Sequence, residues 1–182
     1  MQKEELQLVR LQEDTEIKHF DSGDEDLNRF LYEDAKEYSK QLLAVTYLLE
    51  DQNNTISYFS LSNDLLFYSD IDNKSKWRKF TKHIGLNFQK RKRKSYPAVK
   101  LGRLATNKDY QSMGFGKIVI DWIKYSFTNN NKTGCLFITV DAYNNSGAVK
   151  FYENNGFQFV NSNTETDKTR LMYCSLLEEI IL

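Results

Sequence analysis

Two stretches of this 182-residue chain hold residue types and spacings that could do chemistry. The first runs from Lys100 to Gly116. Lys100-Leu101-Gly102-Arg103-Leu104-Ala105 reads as a buried strand, followed by a polar turn and then Gln111-Ser112-Met113-Gly114-Phe115-Gly116. Ile118, Val119, Trp122, Ile123 and Phe127 recur on one helical face, so the glycines stand at a helix start. Backbone N–H groups left bare by Gly114 and Gly116 lie at the positive end of a helix dipole. Such an end suits a phosphate or pyrophosphate, and a glycine-loosened helix start without a ligand is the alternative. The second stretch is electrostatic. Ten Lys/Arg and no Asp or Glu lie between Lys74 and Lys94, ending in Lys90-Arg91-Lys92-Arg93-Lys94. The first forty residues carry twelve acids against six bases, so a net charge of zero hides a separated charge. The basic run can meet a phosphate backbone, or stay solvated on an insertion helix packed by Trp77, Phe80, Ile84 and Phe88.

Other chemistries find little support. His19 and His83 with no Cys-x-x-Cys give no zinc pattern, so no metal is expected. Cys135 and Cys174 read as buried, reduced thiols. No apolar run approaches the ~18–20 residues of a membrane helix. The first residues lack a basic-then-apolar leader, which predicts a cytoplasmic protein.

The elements that must position these residues follow from hydrophobic period and turn chemistry. Residues 6–11 pass as a first strand. Ser22-Gly23-Asp24-Glu25 has the form of a capping box, ahead of a helix with Leu27, Phe30, Leu31, Ala35 and Tyr38 on its apolar face. Strands are expected over 42–49 and 56–61 around the turn 51–54, and a charge-free buried strand over 136–140. Asn144 or Asn145 can cap the next helix and Gly156 can close it. Residues 157–160 and 170–175 read as a final hairpin. The expectation is one domain over 1–182 with a basic helical insertion at about 70–96. Its class is α/β: a mixed, strongly twisted sheet of six to seven strands with helices on both faces.

The pattern resembles the GCN5-related N-acetyltransferase (GNAT) superfamily. Its acetyl-CoA loop, Gln/Arg-x-x-Gly-x-Gly/Ala, is matched by Gln111-x-x-Gly114-x-Gly116, and its later Phe-Tyr-x-x-x-Gly-Phe by Phe151-Tyr152-Glu153-Asn154-Asn155-Gly156-Phe157. The match covers roughly residues 98–160. A further likeness is to the subgroup of toxins that acetylate aminoacyl-tRNA. It rests on the stretch from Phe20-Asp21-Ser22-Gly23 to Leu27-Asn28-Arg29-Phe30-Leu31 and on Gly102-Arg103-Leu104-Ala105.

The resemblance implies central strands splayed at an acetyl-CoA site. Leu104, Ala105 and Thr106 would hold the pantetheine arm. Gln111 and the amides of Ser112, Met113, Gly114, Phe115, Gly116 and Lys117 would hold the pyrophosphate, and Asn145 joins the cofactor-contacting set. A primary amine would attack the thioester directly, and Tyr152 would protonate the leaving thiolate, a phenol with a reference pKa of about 10 being able to do so. Phe151-Tyr152 also reads as a plain packing pair. Arg103 could be an ion-pair partner of an acid on a neighbouring strand, and Asp141 is the carboxylate nearest to serving as a base. Lys90 to Lys94 would contact nucleic acid. Three readings remain: an N-acetyltransferase of primary amines, a toxin acetylating the α-amine of aminoacyl-tRNA beside a small DNA-binding antitoxin, and a non-catalytic CoA- or nucleic-acid-binding module. A second copy of the chain is a further candidate partner.

Overall fold

The computed structural model describes residues 6–71, 75, 78, 82, 94–129, 131–161 and 166–177. Seven strands form one mixed sheet in the order β1-β2-β3-β4-β5-β7-β6. They are β1 (Gln7–Arg10), β2 (Val45–Glu50), β3 (Thr55–Phe67), β4 (Ser95–Thr106), β5 (Phe137–Tyr143), β6 (Gln158–Phe159) and β7 (Thr169–Ser175). Among the described residues the helices with given bounds are α1 (Glu25–Arg29), α2 (Ala35–Lys40), α3 (Phe115–Thr128) and α4 (Ser146–Asn154), and Ser75, Arg78 and Lys82 are also helical. β4 and β5 run parallel, as a strand–helix–strand crossover through α3 requires, whereas β1–β2, β2–β3, β5–β7 and β6–β7 are antiparallel.

The chain divides into two compact units, Met1–Ser62 with Leu101–Trp122, and Asn63–Lys100 with Ile123–Leu182. In the first, Leu11, Phe20, Phe30, Leu31, Ala35, Leu48, Tyr58 and Ala105 form a buried cluster. In the second, Leu66, Ile71, Tyr96, Ala98, Phe137, Val160 and Tyr173 do so. At ~25 cal/mol per Å² of apolar surface removed from water, these clusters are the main drivers of folding.

Local differences from the sequence reading have identifiable causes. The helix cap is Asp24, not Ser22: the Asp24 carboxylate accepts from the N–H groups of Asp26 and Leu27. Ser22 instead binds Asn28, its N–H and hydroxyl both donating to Asn28 Oδ1. Between α1 and α2 the helix widens into a π turn over Phe30–Asp34, with Ala35 N–H donating to Phe30 O. Phe30, Leu31 and Ala35 are buried on its inner face, as the apolar spacing requires. Leu42 and Leu43 are not strand residues. Leu42 N–H donates to Ser39 O and Leu43 N–H to Tyr38 O, a Schellman closure with Leu42 in the left-handed region at φ 60°. β2 therefore starts only at Val45, while β3 continues past Leu61 to Phe67.

Candidate active site

The anion-binding half of the expected site lies within the first unit. β4 delivers Leu104, Ala105 and Thr106, with Ala105 buried and the other two half-buried. Gly102 stands where a side chain would crowd β3, because a Cβ there would come within 3.1 Å of Ser60 Oγ. The ladder between β4 and β5 comprises Ala98↔Phe137, Val99↔Ile138 and Lys100↔Thr139. Beyond Lys100 β4 has no β5 partner among the described residues, and another extended chain pairing there would compete with the Arg103 and Gln111 side chains for Gly102 O and Thr106 O.

The glycine loop is shaped for close approach. Ser112 and Gly114 both adopt left-handed backbone, φ 63° and 89°, and nothing lies within 4 Å of where a Gly114 Cβ would be. Gln111, Ser112, Met113, Gly114 and Lys117 are exposed, and Phe115 and Gly116 open α3 half-buried. The N–H groups of Phe115, Gly116 and Lys117 have no intrahelical acceptor by geometry, the first helical bond here being Ile118 N–H to Gly114 O at 3.2 Å. Two side chains are already committed. Gln111 Nε2 donates to Ser22 O at 2.9 Å and Thr106 O at 3.1 Å, and Lys117 pairs with Asp121 along the helix. Gln111 thus braces the loop through its amide nitrogen.

The turn ahead of the loop carries contacts that sequence reading missed. Asn107 is buried and caps the single turn Lys108–Tyr110, its side chain accepting from Asp109 N–H. Lys108 Nζ meets Asp21 Oδ2 at 2.7 Å, which raises the Lys108 ammonium above its ordinary value. The same contact, helped by Gly23 N–H and Asn28, holds Asp21 well below the usual carboxylate range. Asp21 and Gly23, the core of the early Phe-Asp-x-Gly stretch, therefore organise the approach to the glycine loop. The Asn107-x-Asp109 spacing, an Asx-turn pattern, was the available signal. Arg103 pairs with Asp26 of α1 at 3.8 Å and lies over the Phe30 ring at 5.1 Å, so its acidic partner comes from a helix and not a neighbouring strand.

The proton-donor half lies within the second unit. Asn145 caps α4, its side chain accepting from Ala148 N–H at 2.9 Å, so its amide oxygen is committed to the helix. Tyr152 is buried, with ring centroids of Phe151 and Phe157 at 5.1 and 5.2 Å. Gly156 at φ 84° turns the chain so that Phe157 returns onto Tyr152 and its N–H donates to Tyr152 O. That closure is the physical content of Phe-Tyr-x-x-x-Gly-Phe. The Tyr152 hydroxyl makes no hydrogen bond among the described residues, and burial raises its pKa above the ordinary phenol value. It is a protonated, uncommitted donor at neutral pH. Asp141 is ion-paired with Lys100, and Asp64 accepts from the buried Thr139 hydroxyl. Lys94 is exposed; Lys90, Arg91, Lys92 and Arg93, with Trp77, Phe80, Ile84 and Phe88, lie outside the described residues. Among the described residues no three His, Cys, Asp or Glu converge on a metal position, and no helix is long and apolar enough to cross a membrane.

Residues 79–159 match the family profile described as "Acetyltransferase (GNAT) domain". Over that stretch, less than half of the 182 residues, the chain is similar to GNAT acetyltransferases. Its α/β fold with a seven-stranded mixed sheet is the GNAT fold, and solved structures extend the likeness to the whole length. AtaT complexed with acetyl-methionyl-tRNAfMet is 21% identical with a TM-score of 0.77, the match covering 97% of this chain and 98% of that one. A mutant of KacT is 23% identical at TM-score 0.75, covering 96% and 98%. AtaTR bound with AcCoA is 22% identical at TM-score 0.72, covering 97% and 98%. Acetyl-CoA, bound in that AtaTR structure, is the ligand to test against this chain's residues. The residues present fit it: left-handed Ser112 and Gly114 leave open space beside unpaired amides, and the edge of β4 beyond Lys100 matches the amide-bearing arm.

Proposed function

We propose that this acetyltransferase acts on the α-amine of aminoacyl-tRNA, as the toxin of a toxin–antitoxin pair. One observation carries the reading: the chain matches AtaT, solved with acetyl-methionyl-tRNAfMet, over 97% of its own length and 98% of that protein's. AtaT has also been solved bound to the C-terminus of the antitoxin AtaR, and KacTA in a complex with DNA. A small DNA-binding antitoxin is therefore the partner to expect here. The two compact units are read as one catalytic domain. An aminoacyl-tRNA acceptor puts its work in the cytoplasm.

Acetyl-CoA supplies the acetyl thioester. The edge of β4 at Leu104, Ala105 and Thr106 would bind the arm, and the amides of Ser112 to Lys117 the pyrophosphate, with Gln111 bracing their loop. An N–H of β4 would stabilise negative charge developing on the carbonyl oxygen. Tyr152 would hold the proton that the departing sulfur takes, a role suited to a buried phenol kept protonated. Asp141, near the end of β5, is ion-paired with Lys100. With Asp141 held in that pair, an α-amine with a pKa near 8 is a far easier nucleophile than a lysine near 10.4. Lys90 to Lys94 would meet tRNA phosphates.

The test uses purified protein, acetyl-CoA and a panel of charged tRNAs, with free amino acids and polyamines as competing acceptors. Acetyl label on the aminoacyl group is expected. Binding of tRNA should fall steeply with salt, and less steeply after the Lys90–Lys94 run is neutralised. Label on the small amines alone would leave an ordinary amine acetyltransferase.

A further inference from the structure

The base of the glycine loop is tied to a part of the fold that no sequence motif connects with it. Tyr110 ends the single turn after β4. Its hydroxyl donates to Asp51 Oδ2 at 3.0 Å and accepts from Asn54 Nδ2 at 3.1 Å, both on the turn between β2 and β3. Asp51 is buried, and its other oxygen accepts from the N–H groups of Asn53 and Asn54 at 2.7 Å each. Those bonds freeze the turn and present the remaining carboxylate oxygen to Tyr110. The backbone of Tyr110 is fixed as well: its N–H donates to Asn107 O, and Asn107 N–H donates to Ile56 O on β3, both at 2.8 Å.

From this anchor the Tyr110 ring reaches across the loop. It meets Phe115, the first residue of α3, edge to face at 5.9 Å. Tyr110 and Phe115 bracket Ser112 and Gly114, the two left-handed residues. Ser112 in that region costs roughly 1–2 kcal/mol, so the conformation needs support from outside the loop.

We propose that Tyr110 is a positioning residue for acetyl-CoA: the β2–β3 turn, through Asp51 and Asn54, holds its hydroxyl so that its ring fixes the pyrophosphate-binding loop from Ser112 to Lys117. The inference rests on the acetyl-CoA assignment above. Tyr110 touches no reacting atom in this arrangement; it acts by keeping the amides in place before the diphosphate arrives. Its effect belongs in binding of the nucleotide end of the donor and not in the chemical step.

Two donors separate this role from a general loosening of the fold. Acetyl-CoA carries the diphosphate, and S-acetylpantetheine has the same thioester and arm without it. Tyr110→Phe should raise the KM for acetyl-CoA and the calorimetric Kd for CoA about tenfold, the scale of one hydrogen bond to a charged group. The kcat should stay within about twofold. The kcat/KM for S-acetylpantetheine should be unchanged, while the melting temperature should fall by only the ~2–8 °C that one lost buried hydrogen bond accounts for. An unaltered KM for acetyl-CoA overturns the proposal, and so does an equal fall for both donors. A wild-type protein that gives no heat with CoA would instead remove the acetyl-CoA assignment, and this inference with it.

Discussion

Replacing Tyr152 with Phe removes one oxygen from a ring whose apolar surroundings stay intact. Phe151 and Phe157 pack against that ring at 5.1 and 5.2 Å, and the helix closure at Gly156 depends on backbone groups only. The hydroxyl makes no hydrogen bond among the described residues, so no partner is orphaned by its loss. The substitution should therefore change stability by less than about 1 kcal/mol, below the cost of leaving a buried group unsatisfied. If the phenol protonates the departing thiolate, turnover should fall by ~10²–10⁴, or about 2.7–5.5 kcal/mol in the activation barrier. The calorimetric Kd for CoA should not move. Since burial raises the phenol's pKa, wild-type turnover should show no alkaline decline from this group below its ordinary value near 10. The assays are single-turnover acetyl transfer across pH 6–10, titration with CoA, and a thermal melt of both proteins. An unchanged rate would take Tyr152 out of the mechanism. A drop in melting temperature that matches the loss of activity would make it a packing residue.

Other outcomes follow from single contacts. Asn145→Ala removes the α4 cap and should lower stability by about 1 kcal/mol in a denaturant melt, with Asn145→Asp close to wild type. Gly114→Ala meets no steric obstacle but forces a side chain onto φ 89°; calorimetry should show weaker CoA binding with a stability loss of about 1 kcal/mol. Burial pushes the Cys135 thiol up to about 11, so alkylation at pH 8 should run about 100-fold slower than for a thiol at 9.0. Asp21 is depressed chiefly by the Lys108 contact. In Asp51, burial acts upward but the Asn54 and Asn53 N–H groups and the Tyr110 hydroxyl more than offset it. The stability both provide is complete above the ordinary value of 3.8 and is lost as pH falls through their lower folded values. Melts taken at decreasing pH should show that loss, and Asp21→Asn should flatten it.

Where the sequence was sufficient, short-range rules carried the information. Gln111-x-x-Gly114-x-Gly116 before an amphipathic run marks a helix start with bare amides, because only glycine sits without strain in the left-handed backbone found at Gly114. Phe151-Tyr152 with Gly156 five and four residues on likewise writes a helix and its closure into adjacent positions. An α/β fold with a mixed sheet could be expected from the alternation of elements, whereas the order β5-β7-β6 is decided by tertiary pairing. Other features depend on residues far apart in the chain. Asp51 and Tyr110 are separated by 59 positions and Asp21 and Lys108 by 87, and neither pair has a periodicity to betray it. Asn145 and Gln111 match a ligand motif, yet folding spends their side chains on a helix cap and on two carbonyls. Local sequence set which backbone groups could be offered to an acetyl donor. Tertiary contacts decided which side chains remained free, since a hydrogen bond made within the fold is no longer available to a ligand.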